Sequence, residues 1–308
     1  MYDLIVIGGG PAALAAGLYA IGKQLNIVMV YEELGGKIGW LQSLVGPEQP
    51  PDLPGNEIAH LLMIRATTYP ERAIEDRVLS VFTNGPIFNV LTEQHGVLHS
   101  RTVLVATGAT PLQLDVPGAQ QVGKVALSYS ATTYAHLTGE QRIAVIGGTN
   151  RALSAAAELA NTAAQVFLVA PGPLALSTPL GEALRQHPRV EVLAGWKATR
   201  IERDDPMITV TIAQGRHLRP LSVDRVFVAL GLVPNSDMVR DLVATDSDGF
   251  IKVNAFHQTS VPGLFAAGDV SSIFSEQVLI AIGDGTRAAM AAYDYLLSER
   301  LVADVLER

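Results

Sequence analysis

The sequence predicts an α/β protein of two Rossmann-like, three-layer nucleotide-binding domains, the second inserted in the first. Three observations predict it. Residues 3–7 (Asp-Leu-Ile-Val-Ile) form a short apolar run, followed by Gly8-Gly9-Gly10-Pro11-Ala12-Ala13 and an Ala/Leu-rich helix. Residues 142–146 (Arg-Ile-Ala-Val-Ile) repeat that order, with Gly147-Gly148-Thr149-Asn150 and a second Ala-rich helix. Each repeat closes on a β-prone run ending in glycine, 103–108 and 226–231, with Pro111 and Pro234 just beyond. Runs this short suit parallel strands covered on both faces rather than buried helices. Strand, tight glycine turn and helix together make the opening of a βαβ nucleotide-binding unit.

Taken in order, residues 1–115 begin the first domain, 116–235 form the insertion, and 236–308 complete the first domain. In the first turn Gly8 makes the tight bend, Gly10 lets backbone approach a pyrophosphate, and Ala13 permits close helix–strand packing. The helix that starts at Pro11 and Ala12 offers unpaired N–H groups and a positive dipole end to phosphates. The strand 26–31 then ends in Glu32-Glu33, where a carboxylate is placed to accept hydrogen bonds from a ribose diol. Glu32 is the stronger candidate, and Glu33 is the more readily explained as a solvated residue. After Pro234 come a polar stretch, the run 263–269 ending in Gly268-Asp269, and an amphipathic helix from about Gln277 to Leu297.

Composition narrows the chemistry. The 308 residues fit two domains, and 48% hydrophobic with 17% charged residues gives material for packed cores. Cysteine is absent, which removes disulfides, thiolate metal sites and cysteine nucleophiles. The seven histidines are scattered, and His95 and His99 flank Gly96 in an expected hairpin, so no histidine metal site is expected. The net charge of −8 disfavours nucleic acid as a partner. That charge is uneven: residues 117–235 carry 11 basic and 8 acidic residues, whereas the rest carries 11 and 22. No apolar run reaches the roughly 18 residues of a membrane span. The start Met1-Tyr2-Asp3 lacks a basic leader, so a cytoplasmic location is expected.

Several segments together resemble the FAD enzymes of the thioredoxin reductase family. They are Gly8–Ala13, Gly35-Gly36-Lys37-Ile38, Ala106-Thr107-Gly108, Gly268-Asp269 and Gln277–Gly285. The resemblance covers essentially the whole chain in order. It implies FAD in the split domain, with Gly8, Gly10, Pro11, Ala12 and Ala13 at the pyrophosphate. The loop through Glu32, Glu33, Gly35, Gly36 and Lys37 would wrap the ribose and adenine side, and Val78 would meet adenine through its backbone. Ala106, Thr107 and Gly108 belong to the same implied site, and Asp269, after Gly268, would hold the ribityl chain. Gln277 and Val278 would present N–H groups to the flavin edge where negative charge develops on reduction. The resemblance also implies a homodimer.

The sequence departs from that family at its chemistry. Where disulfide-reducing members carry Cys-Ala-Thr-Cys-Asp, this chain has Ser130-Ala131-Thr132-Thr133-Tyr134. Ser130 and Thr133 cannot cycle between dithiol and disulfide, and Tyr134 is a poor general acid near neutral pH. The catalytic residues are therefore left unassigned. Thr149 stands where the second glycine turn needs glycine, and no Lys or Arg occurs from 152 to 184 to take a 2′-phosphate. The insertion thus reads as a degenerate NAD(P)H-binding-like domain.

The expected function is an FAD-containing oxidoreductase without dithiol chemistry, exchanging electrons with an external donor or acceptor other than NADPH. An NAD(P)H-linked ferredoxin or flavodoxin reductase and a non-catalytic flavin-binding redox sensor are the alternatives. Lys197, Arg200, Arg203, Arg216, Arg219 and Arg225 offer a basic face for an acidic ferredoxin or flavodoxin, although local pairing with Glu202, Asp204, Asp205 and Asp224 explains them better. Trp40, Tyr129 and Tyr134 are candidates to stack on a flavin, or on a second one, with core packing the plainer role. The family's Glu-Asn-x-Pro-Gly segment is replaced around Val45-Gly46-Pro47.

Overall fold

The computed structural model describes residues 1–37, 56–123, 127–172, 177–273 and 276–306. The chain forms two compact units, Met1–Thr110 with Val233–Arg308, and Pro111–Leu232.

In the first unit the strands are β1 (Tyr2–Ile7), β2 (Ile27–Tyr31), β3 (Ala73–Glu75), β4 (Val78–Asn84), β5 (Ile87–Thr92) and β6 (Val97–Val105). Helix α1 (Pro11–Gly22) joins β1 to β2, and α2 (Asn56–Ala66) precedes β3. The sheet order is β3-β2-β1-β6-β5-β4. β1 sits at its centre, with Ile5 level with Val28 of β2 and Val103 of β6, both parallel. Period-2 alternation sends its side chains to opposite faces. Leu4 and Val6 join one core with Ala13, Leu14, Ala16 and Leu104, while Ile5 and Ile7 join another with Val28, Val30, Val103 and Val105. Leu4, Ile5 and Val6 are wholly buried, as a strand covered on both faces requires.

The second unit holds β7 (Leu127–Ser128), α3 (Ala131–Tyr134), β8 (Arg142–Ile146), α4 (Asn150–Ala160) and β9 (Gln165–Ala170). It continues with α5 (Pro179–Gln186), β10 (Val190–Ala194), β11 (Lys197–Asp204), β12 (Met207–Gln214), β13 (His217–Val223) and β14 (Arg225–Val228). A parallel sheet runs β10-β9-β8-β14-β7, and a separate antiparallel sheet runs β11-β12-β13. In β12 the alternate residues Ile208, Val210 and Ile212 are buried, which turns that sheet's apolar face onto the core containing Ala144 and Ile146.

The chain returns to the first unit with β15 (Leu264–Ala266), parallel to Val103–Val105 of β6, and the long helix α6 (Val278–Leu306). Both units are thus Rossmann-like βαβ assemblies. No described helix is long and apolar enough to cross a membrane.

Candidate dinucleotide cradle

The first unit builds a cradle at the carboxyl end of β1. Gly8 donates its N–H to Val30 O at 2.8 Å and holds φ at +127°, a backbone state that side chains disfavour. A Cβ there would stand 2.3 Å from Ala106 O, so only glycine fits. Gly35 donates to Gly9 O at 2.8 Å, and a Cβ on Gly36 would come within 3.1 Å of Gly10 Cα. The segment Gly35-Gly36 therefore lies directly on the first turn.

Gly10 is the N-cap of α1, has no side-chain cap, and a Cβ built on it would meet nothing within 4 Å. Pro11 occupies the first helical position, so its missing N–H costs nothing, and the N–H groups of Ala12 and Ala13 have no partner within the helix. A diphosphate needs close backbone approach and an uncapped helix start, and this turn supplies both. The cradle fits a dinucleotide.

Glu32 and Val78 lie at one end of the cradle. The Glu32 carboxylate stands 3.9 Å from Arg77 Nε with both side chains well exposed. Asp76 donates its N–H to Tyr31 O at 2.9 Å, which brings the start of β4, and with it the buried Val78, beside the end of β2. Glu33 is exposed, and its carbonyl oxygen packs where a Cβ on Gly9 would fall.

At the other end, Lys37 Nζ reaches Asp269 Oδ2 at 2.8 Å and Glu276 Oε1 at 3.2 Å. The segment read as wrapping the ribose and adenine side thus also ties itself to the Gly268-Asp269 turn and the approach to α6. Asp269 lies inside a 3₁₀ turn (Gly268–Val270), while Gln277 accepts from Ala281 N at 3.0 Å and so caps α6, with Val278 as its first residue.

Ala106, Thr107 and Gly108 follow β6, and Asn235 fixes this turn. Thr107 Oγ1 donates to Asn235 O at 2.5 Å, Asn235 Nδ2 donates to Thr107 O at 2.9 Å, and Asn235 N donates to Gly108 O at 2.9 Å. Asn235 carries no local sequence signal of this role, since its partner lies 128 positions away.

The second unit's turn is built differently. Thr149 is the N-cap of α4: its hydroxyl accepts from Ala152 N at 3.4 Å and lies 3.3 Å from Ala229 O, to which it donates. A helix-start N–H that a phosphate would use is occupied by the protein's own side chain. Ser130 occupies the N-cap position of α3 with no capping bond from its side chain, and Tyr134 packs against the core around Leu153 and Leu159. The side chain of Thr133 lies outside the described residues. Burial raises the Tyr134 phenol above its ordinary pKa while the Arg225 guanidinium opposes it, so the phenol stays protonated at neutral pH. Tyr129 packs against the other core of this unit and accepts from Leu114 N at 3.4 Å. Trp40, Ile38 and the segment Val45-Gly46-Pro47 lie outside the described residues.

Of the basic residues of the second unit, Arg200 pairs with Glu202 at 2.8 Å, Arg203 with Asp205 at 2.7 Å, and Arg219 with Glu191 through two hydrogen bonds of 2.5 and 3.1 Å. Asp204 instead accepts from Thr209, and Asp224 from Arg142 N. Lys197 and Arg216 are exposed. No group of three or more His, Asp and Glu residues able to hold a metal occurs among the described residues.

A sequence profile of the family described as pyridine nucleotide-disulphide oxidoreductase matches residues 2–292. The alkyl hydroperoxide reductase F subunit of Xanthomonas campestris pv. phaseoli is 31% identical over 306 residues, covering 96% of this chain and 57% of that protein. Its namesake in Pseudomonas aeruginosa is 29% identical, with 96% and 58% covered. The chain therefore spans less than two thirds of the length of these curated relatives. Among solved structures, thioredoxin reductase from Streptococcus pyogenes MGAS5005 superposes with a TM-score of 0.80 at 27% identity, covering 97% of this chain and 99% of that one. Thioredoxin reductase from Giardia duodenalis shares the fold, with a TM-score of 0.80 at 22% identity over 96% and 99% of the two chains.

Proposed function

Because this chain belongs to the pyridine nucleotide-disulphide oxidoreductase family, we propose that it is an FAD-dependent oxidoreductase whose flavin exchanges electrons directly with an external partner other than NADPH. FAD is the cofactor of this family and fold. When bound, it supplies hydride or single-electron chemistry that needs no cysteine from the protein. The chain's own residues would hold and orient it. Gly8, Gly10 and the α1 start receive the diphosphate, Glu32 the ribose, and the turn carrying Asp269 the ribityl chain. The start of α6 at Gln277 and Val278 would offer its N–H groups to the flavin, where helix-start donors favour negative charge. Lys37 bridges Asp269 and Glu276.

One observation carries the reading: the two glycine turns have diverged. Gly10 leaves its helix start open, whereas Thr149 caps its own helix. The absence of cysteine supports electron transfer without a dithiol relay. The test is an anaerobic titration of the yellow protein with NADPH, NADH and a reduced ferredoxin or flavodoxin, followed at the flavin absorbance. Bleaching by the protein donor alone is the expected result. Stoichiometric, fast bleaching by NADPH would replace this reading with that of an NAD(P)H-linked ferredoxin or flavodoxin reductase. A flavin that no external acceptor reoxidises would replace it with a redox sensor.

A homodimer is part of the proposal. Helix α2 exposes Ile58, Leu61 and Ile64 at 45%, 65% and 55%, three apolar residues at a helical repeat on one face. A second copy of the chain covers this face. Light scattering is expected to give the mass of a dimer, and Leu61→Glu that of a monomer.

A further inference from the structure

Behind the Gly268-Asp269 turn lie two titratable side chains that the proposed electron transfer does not use. His257 is 0% exposed and adopts a left-handed backbone, φ +59°. Its Nδ1 lies 3.2 Å from Ala266 O, which places the proton of the neutral ring on Nδ1. Its Nε2 faces Asp284 Oδ1 of α6 at 3.5 Å. Both Nε2 and Asp284 Oδ2 are buried without a hydrogen-bond partner. The Gly268 N–H faces the Asp284 carboxylate and acts to lower its pKa. Arg287, on the next turn of α6, and Asp269, on the turn itself, are the other charged groups that face the couple.

Buried polar atoms left unpaired are costly and call for an explanation. With His257 neutral and Asp284 ionised, Nε2 and the carboxylate are two facing acceptors. One further proton, on either atom, resolves that conflict. Burial lowers the His257 pKa and raises that of Asp284, each opposed by the other's charge, so neither residue alone owns the proton. With the proton the couple is neutral overall; without it the couple carries one negative charge.

We propose that the His257–Asp284 couple positions the Gly268-Asp269 turn through the Gly268 N–H and takes up a proton when the flavin at that turn is reduced. This rests on the FAD reading above. Two electrons from an external reductant add negative charge near the turn, and the couple then holds its proton more tightly than in the oxidised protein. Where the oxidised protein has released that proton, reduction draws it from water, in addition to the proton that the flavin itself takes. Asp284 touches the turn rather than the reacting atoms, so it is a positioning residue.

The experiment is a midpoint-potential titration of the FAD-loaded protein across the range in which histidine titrates, about pH 5 to 8. It compares the natural protein with Asp284→Asn, which keeps an acceptor for Gly268 N–H, and His257→Asn, which tolerates the left-handed backbone. The expected result is a segment of steeper fall with pH in the natural protein, lost in both variants while FAD content stays the same. Variants that bind FAD and trace the natural curve would overturn the inference. A natural protein that binds no FAD would overturn the FAD reading instead. Nitrogen-15 NMR of the ring-labelled natural protein needs no variant: the Nε2 signal of the solvent-shielded histidine is expected to shift on reduction, whether Nε2 binds the proton or accepts it in a hydrogen bond from Asp284, and an Nε2 signal identical in both redox states also overturns the inference.

Discussion

Gly285 of α6 lies so close to Ala12 of α1 that a Cβ on it would stand 1.9 Å from the Ala12 carbonyl oxygen. The contact sets the distance between the two helices, and Ala12 belongs to the first turn of α1, where the cradle opens. Gly285→Ala forces the helices apart and is expected to cost about 2 kcal/mol, the usual scale of overpacking. Urea denaturation measures the loss. FAD retention after gel filtration is expected to fall with it, because the displaced element carries the diphosphate site.

Gly8 and Gly10 separate folding from binding. Gly10→Ala places a methyl in open space, so stability of the FAD-free protein is expected to change by less than about 0.5 kcal/mol. The same methyl stands in the path of the diphosphate, and FAD affinity is expected to drop at least tenfold, about 1.4 kcal/mol. Gly8→Ala meets Ala106 O and a left-handed backbone, and is expected to lose more than about 1 kcal/mol even without FAD. Thermal melts of FAD-free protein beside FAD titrations distinguish the two.

Thr149 acts as a cap in the second unit. Thr149→Ala is expected to cost about 1 kcal/mol and Thr149→Gly only a few tenths, the ordering found for caps in general. Neither is expected to make NADPH bleach the flavin, since residues 152–184 still lack a cation for the 2′-phosphate. Denaturant unfolding and the anaerobic titration check the two halves of this statement.

Asp76 ties the β5–β6 hairpin to the start of β4. Burial acts to raise its pKa, but the His95 ring, the N–H groups of Gln94 and Arg77 and the Thr92 hydroxyl together hold the carboxyl well below the ordinary carboxylate range. A depressed folded-state pKa stabilises above the unfolded value, about 3.9, and that stabilisation is lost as pH falls toward the folded one. Melting temperature is therefore expected to fall on acidification below about pH 4. Asp76→Asn is expected to melt lower at neutral pH and to flatten that acid limb.

The parts of this fold legible in the sequence are those written locally. The run 3–7, the turn Gly8–Gly10 and the Ala-rich start of α1 are contiguous, and the same order at 142–152 makes the duplication visible without any tertiary contact. Thr149 was legible too, because a β-branched residue at a glycine position has a meaning of its own. Partnerships across the chain were not. Lys37 meets Asp269 and Glu276 from more than 230 residues away, and Asn235 pins Thr107 from the far side of the insertion. His257 is one histidine among seven until the fold buries it against α6. Each depends on which strand ends lie side by side, and no periodicity records that.

The division of the first unit between two stretches of chain has a consequence for its birth on the ribosome. Synthesis delivers β1 to β6 first, then the whole of Pro111–Leu232, and only afterwards β15 and α6. The second unit is continuous in sequence, so all its strands and helices emerge while the first still lacks the strand beside β6 and the helix that packs on α1. Ala12 of α1, against which Gly285 of α6 packs in the finished protein, lacks that cover throughout the interval. The earlier half of the first unit is thus the part most exposed to aggregation and to chaperones, and the emergence of α6 ends that exposure.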